Sequence, residues 1–154
     1  MESSNKITNT YKVENSQIVT SNLSNILFSE DFSDVVIIVG GEGGIPKEKI
    51  NGHRQILASS SEIFKAMLYG PFIEGSKREL TIPNIEPDIM KALLQFIYTG
   101  NVNVEVEKIV NIIKAVDQYC IRGAREEFEK AALYYIDQAS GMSEKQIEYV
   151  MQLM

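Results

Sequence analysis

His53 is the only histidine and Cys120 the only cysteine in the chain, so the side chains that most often hold a transition metal occur once each. A zinc site draws on several such ligands, and one of each can build neither a thiolate cage nor a histidine pair. Ser59, Ser60 and Ser61 stand together, but a nucleophilic serine needs an adjacent base and none is in view. A helix cap is the sufficient explanation, since Ser59 and Glu62 have the spacing of a capping box. Gly41-Glu42-Gly43 begins like a dinucleotide fingerprint, yet Pro46 occupies the place of the third glycine and no Gly-Lys-Ser/Thr occurs anywhere. His53 therefore reads as a structural histidine, Cys120 as a small core residue at the apolar end of a helix, and Tyr134 and Tyr135 as packing residues. No catalytic residue, cofactor or metal is expected.

The elements that would carry these residues are set by a chain of 154 residues and 17.3 kDa, 44% hydrophobic and 23% charged. That is enough for one domain with its own core and no disulfide. Fifteen basic against 21 acidic residues give a net charge of −6 and a pI near 4.9. The basic field that draws proteins to nucleic acid or anionic lipid is missing, and neither is expected as a partner. The opening run Met1–Lys6 leads into no apolar signal region, and Val35–Val39 is too short to span a bilayer. The expectation is a soluble protein of the cytoplasm or nucleus.

Residues 1–16 are rich in Ser, Asn and Thr and read as a mobile tail. From Ile18 to Phe28 the apolar residues Val19, Leu23, Ile26 and Leu27 recur at i, i+4, i+7 and i+8, which lays them along one face of a short helix. Ser33–Val39 is a β-branched run stopped by Gly40-Gly41, the pattern of a central strand covered on both faces, and Lys47–Gly52 reads as a more exposed second strand. From His53 to Leu68 helical spacing returns with a break at Ser59–Ser61, predicting two short helices. Leu80-Thr81-Ile82 reads as a strand closed by Pro83. A helix then opens at Glu86-Pro87-Asp88 and stops at Gly100. Val102 and Val104 predict a brief edge strand, followed by amphipathic helices over 109–119 and 124–136. A last helix is opened by Ser143 with Gln146 at box spacing. The order predicts an α+β fold, a small mixed sheet flanked by a cluster of α-helices.

Several of these runs together resemble the BTB/POZ domain. They are Ser33-Asp34-Val35, then Gly52-His53-Arg54 leading to Leu57–Phe64 and Met67-Leu68, then Leu80-Thr81-Ile82 and Phe96-Ile97-Tyr98-Thr99-Gly100, and finally Ala115–Tyr119. On this resemblance residues 17–138 form the domain, and residues 139–154 begin a C-terminal helical extension. Gly123, which interrupts what should be a helix, and Ala124 depart from the family pattern, and the connection from Gly40 to Gly52 is long for it.

The resemblance implies a non-enzymatic protein interaction module that pairs with a second copy of itself. The face of Val19, Leu23, Ile26 and Leu27 would then pack across the dimer; the other reading of its periodicity is packing on its own subunit. It also implies a buried charged pocket near that interface, at Asp34 and Arg54. Phe72-Ile73-Glu74 is similar to the triplet with which adaptors of the family dock on cullin-3, with Tyr119 beside it on the same surface. The plainer reading is a loop whose phenylalanine covers the core. The expected role is a homodimeric substrate adaptor of a cullin-3 ubiquitin ligase that holds an unknown target protein. The alternative is a dimeric scaffold or transcription-regulator domain that binds other partners without cullin.

Overall fold

The computed structural model describes residues 10–71, 78–138 and 142–153. Its sheet has three strands, β1 (Val35–Val39), β2 (Glu48–Gly52) and β3 (Glu79–Ile82), in the order β2-β1-β3. β1 is central as expected, antiparallel to β2 and parallel to β3. Alternation along a strand splits each row by face. One face stacks Ile50, Ile37 and Leu80 in register, and next to them Val39 pairs with Ile82; all are buried. The other face is covered as well, but less fully: Ile38 is buried at 8% exposure. There Val36 lies between Asn51 and Glu79, and Ile38 between Lys49 and Thr81. Polar neighbours flank that aliphatic midline, and Val36 stays half-buried.

Gly40 ends β1 because nothing else fits. Its φ is +79°, and an added Cβ would meet the Pro46 carbonyl oxygen at 2.1 Å. Its N–H donates to the Ile82 carbonyl at 2.9 Å, which ties the turn to the end of β3.

The helical pair is α2 (Arg54–Ser60) and α3 (Glu62–Tyr69), separated as expected. The cap, however, is not Ser59, whose hydroxyl donates back to the Ile56 carbonyl within α2 at 2.8 Å. Ser61 takes the role. Its backbone is extended (φ −150°, ψ 124°), and its Oγ accepts the Phe64 N–H at 3.1 Å. The same hydroxyl, fully buried, donates to the carbonyl of Tyr119. A single antiparallel bridge joins Ser61 to Ile121, the Arg122 N–H donates to the Ser60 carbonyl at 2.9 Å, and Arg122 pairs with Glu62. The break between the two helices is thus a bolt between the halves of the chain.

α4 (Pro87–Thr99) opens with proline in its first turn and closes on Gly100 at φ 70°, whose N–H donates to Phe96. No strand forms over Val102 and Val104. That segment is held by the Tyr135 hydroxyl, which donates to the Val104 carbonyl at 2.6 Å, and by half-buried packing of both valines on the core. A short 3₁₀ turn leads into α5 (Ile109–Tyr119), followed by α6 (Arg125–Asp137). Cys120 is not a core residue: it is exposed and caps α5 with a left-handed backbone at φ 48°. Gly123 interrupts no helix, because it sits at φ 70° in the turn ahead of α6. α7 (Glu144–Leu153) carries the expected box: the Gln146 N–H donates to Ser143 Oγ at 3.3 Å, and the Ser143 N–H to Gln146 Oε1 at 2.9 Å. Its fully buried Val150 docks it on the helices before it.

Ser61→Ala leaves the Tyr119 carbonyl and the Phe64 N–H without their buried partner and is expected to cost about 2–3 kcal/mol. Ser59→Ala is expected to cost within about 0.5 kcal/mol, as surface changes do. Denaturant midpoints of the two variants check this.

Candidate functional site

α1 (Ser16–Ile26) has no buried residue. An isolated helix of this length is marginal in water, so it must rest on something. What it rests on in its own chain is α4, and the side chains lining the groove between them are Ser16, Gln17, Thr20, Ser21 and Ser24 against Gln95 and Thr99. That groove is open: Ser16, Gln17, Ser21 and Ser24 are exposed, and within the helix only Thr20, Leu23 and Ile26 are half-buried. Of its apolar residues, Ile26, with Leu27 just after it, packs partly on the core. Ile18 and Val19 are 55% and 60% exposed, and Leu23 is half-buried.

The surroundings extend this surface. Tyr11 and Val13 are almost fully exposed ahead of α1; Phe32, after it, is 87% exposed, and Phe28 is partly so. Scattered surface apolar residues are ordinary, but here several fall within one short stretch of chain.

The charged residues named from the resemblance flank the same stretch. Asp34 Oδ1 accepts the backbone N–H of Arg54 at 2.7 Å, at the start of α2. The Arg54 guanidinium donates to the Leu68 carbonyl at 2.7 Å and lies over the Tyr69 ring, 4.7 Å from its centroid. With Glu30, Ser33, Asn51 and Arg78 they line an open cleft of about 740 Å³. In the single chain Asp34 is exposed and Arg54 half-buried, so the expected burial is not present here. The carboxylate meets the arginine's backbone at the mouth of the cleft, where water still reaches it.

Tyr119 corrects its assignment as a docking residue. It is 6% exposed, its ring is stacked on Phe64 at 5.1 Å, and burial raises its pKa. The ring belongs to the core and offers a partner no face. Phe72, Ile73 and Glu74 lie outside the described residues.

His53 is structural, and its geometry assigns its proton. Nε2 lies 2.9 Å from the Asp31 carbonyl, which can only accept, so Nε2 carries the hydrogen. Nδ1 then accepts the Tyr98 hydroxyl at 2.7 Å, and that oxygen accepts the His53 backbone N–H at 3.0 Å. No sequence signal pointed to this pairing beyond the position of Tyr98 before Thr-Gly. Among the described residues no group of His, Cys, Asp and Glu is arranged to hold a metal, and no helix is long and apolar enough to cross a membrane.

A small mixed sheet is clasped by helices, and α1 lies outside them with Ile18 and Val19 exposed. The model of the BTB/POZ domain family matches residues 23–135, and the chain belongs to that family, a class of protein interaction modules. It is 34% identical over 93 residues to the Arabidopsis thaliana "ARM repeat protein interacting with ABF2". It is 32% identical over 97 residues to human BTB/POZ domain-containing protein 3, and 30% identical over 104 residues to Kelch-like protein 40a of Danio rerio. These matches cover 60%, 62% and 68% of this chain but only 12%, 18% and 16% of those proteins. Among solved structures, the BTB domain of zebrafish PATZ1 shares the fold with a TM-score of 0.60 at 23% identity, over 84% of this chain and 99% of that one. The BTB domain of human gigaxonin does so with a TM-score of 0.58 at 19% identity, over 82% and 97%.

The Tyr98 phenol is pushed up from 10.0 to about 12, chiefly by burial and further by the charge of Asp34, while the His53 N–H opposes the shift. A phenol harder to ionise in the folded than in the unfolded chain contributes stability that is intact below pH 10. That stability is lost as pH rises from about 10 to about 12, roughly 2–3 kcal/mol in all. Unfolding free energies of wild type and Tyr98→Phe between pH 8 and 11 should therefore converge as the solution becomes alkaline.

Proposed function

We propose that the chain is a homodimeric BTB domain that serves as a substrate adaptor, pairing through α1 and docking on cullin-3 to place a target protein before a ubiquitin ligase. The observation that carries the dimer is that α1 buries no residue in its own subunit and leaves Ile18 and Val19 more than half exposed. A second copy would cover Ile18, Val19 and Leu23, and burying each such side chain stabilises by about 1.5–3 kcal/mol. Both copies would present the same patch, as a two-fold interface requires.

The cullin contact is supported by Phe72-Ile73-Glu74, in which an aromatic anchor stands beside a carboxylate, and by the likeness to a Kelch-like protein. α7, docked at the end of the helical layer, would widen that contact as the start of the extension. A dimer would offer two scaffold sites at once, so avidity and placement would be its contribution to the reaction.

Sedimentation equilibrium at micromolar concentration is expected to show a dimer. Because Val19 is 60% exposed in the single chain, Val19→Asp should change the stability of the monomer by no more than about 0.5 kcal/mol. It should nevertheless weaken the dimer at least about tenfold; a dimer constant indifferent to both Val19→Asp and Leu23→Asp would show that the helix serves its own subunit.

Calorimetric titration with the N-terminal part of cullin-3 tests the second half. Phe72→Ala is expected to weaken binding by about 2 kcal/mol, as loss of an aromatic anchor does. No wild-type binding, or affinity unchanged in Phe72→Ala and Glu74→Ala, would leave a dimeric interaction module without a cullin role.

A further inference from the structure

The linker between α1 and β1, residues 27–34, carries Phe28 at φ 62° and Phe32 at φ 59°. A left-handed backbone is unfavourable for a bulky side chain, so the linker does not follow this path by local preference. Some of its bonds are local: the Ser29 N–H to the Ile26 carbonyl at 3.1 Å, the Asp31 N–H to Ser29 Oγ at 3.0 Å, and the Ser33 N–H to the Glu30 carbonyl at 3.1 Å. Ser33 Oγ and the Asp34 N–H reach the Gly52 carbonyl at 2.9 and 3.3 Å, but only where the linker enters β1. The middle of the linker is gripped from the body of the domain by His53, whose Nε2–H donates to the Asp31 carbonyl at 2.9 Å.

The orientation of that imidazole is itself imposed. His53 is 7% exposed, and its other ring nitrogen is engaged by Tyr98, 3% exposed, in the last turn of α4. α4 is also the helix that α1 lies against. One side chain therefore connects the support of α1 to the segment that leaves α1, and the two aromatic residues in unfavourable backbone conformations stand on either side of the gripped carbonyl.

We infer that His53 is a positioning residue for the interaction surface: oriented by Tyr98, it holds the Asp31 carbonyl and so sets the linker path that presents α1 and Phe32 to a second copy. This assignment rests on the homodimer reading for its partner, but the hold on the linker can be read without one.

The discriminating pair is His53→Gln against His53→Asn. A glutamine amide places an N–H about where Nε2 lies, whereas asparagine reaches only about as far as Nδ1 and cannot bond the Asp31 carbonyl. In full-length protein, amide hydrogen exchange over residues 28–33 is expected to quicken about tenfold or more in His53→Asn and to stay near wild type in His53→Gln. The dimer dissociation constant should rise about tenfold in the first and recover in the second.

A merely structural histidine would lower thermal stability in both variants alike and leave linker exchange and the dimer constant unmoved; that result overturns the assignment. Should His53→Asn not fold, Tyr98→Phe, which releases the ring without emptying its site, is read by the same criteria. A monomeric wild type would sink the homodimer reading and the presentation of α1 with it. Unchanged linker exchange within a dimeric protein would sink the His53 assignment alone.

Discussion

The Ser61 hydroxyl has no access to water and is bonded on both sides, accepting the N–H of Phe64 and donating to the carbonyl of Tyr119. A buried hydroxyl must find partners, and here each partner is a backbone group that would itself be orphaned without it. One atom therefore starts α3 and ends α5. Around it the Ser61–Ile121 bridge and the Arg122–Ser60 bond complete a seam between the strand-rich first half and the helical second half. The stack of Phe64 on Tyr119 lies beside this seam. With the halves fixed, α4 can pack between sheet and helices, and its solvent-facing side becomes the rest for α1.

That rest is what makes the N-terminal helix unusual. An amphipathic helix ordinarily turns its apolar side to its own core. In this chain serine, threonine and glutamine line an open groove beside α4, Leu23 and Ile26 are only half-buried, and Ile18 and Val19 stay mostly exposed. Only the end nearest the linker, at Ile26 and Leu27, is anchored in the core. The helix is placed by its own subunit yet left unfinished by it, a combination that fits a membership in a family of interaction modules. The Asp34–Arg54 cleft has the same character, since its carboxylate remains open to water in one copy of the chain.

The chemistry of the buried polar groups is consistent with a scaffold. His53 has both ring nitrogens engaged, and Tyr98 is a phenol that burial keeps protonated far above neutrality. No buried side-chain nitrogen or oxygen among the described residues lacks a hydrogen-bond partner. Polar groups in this core hold backbone segments together, and the exposed polar groups lie on a surface whose distinguishing feature is apolar.

Periodicity alone carried much of the architecture. Five aliphatic β-branched residues in a row can only be the middle of a sheet, and proline at Pro87 with glycine at Gly100 mark the ends of α4 through their backbone limits. The ordered runs around His53, Leu80 and Tyr98 were enough to identify the family. These signals are local, and local sterics act before any packing. What periodicity could not supply was which of several equivalent local bonds would form. Ser59 and Ser61 are chemically alike, and only contact with Tyr119, 58 residues on, selected the second as the cap. Val102 and Val104 have strand chemistry but no strand beside them among the described residues, so Tyr135 holds them instead. Tyr119 and Cys120 are neighbours in sequence, and the left-handed turn at the end of α5 sends one ring into the core and leaves the other side chain outside. The exposure of Ile18 and Val19 on α1 likewise depends on where α4 lies, because a helix's sequence states that it has two faces and only its neighbours decide which residues meet water.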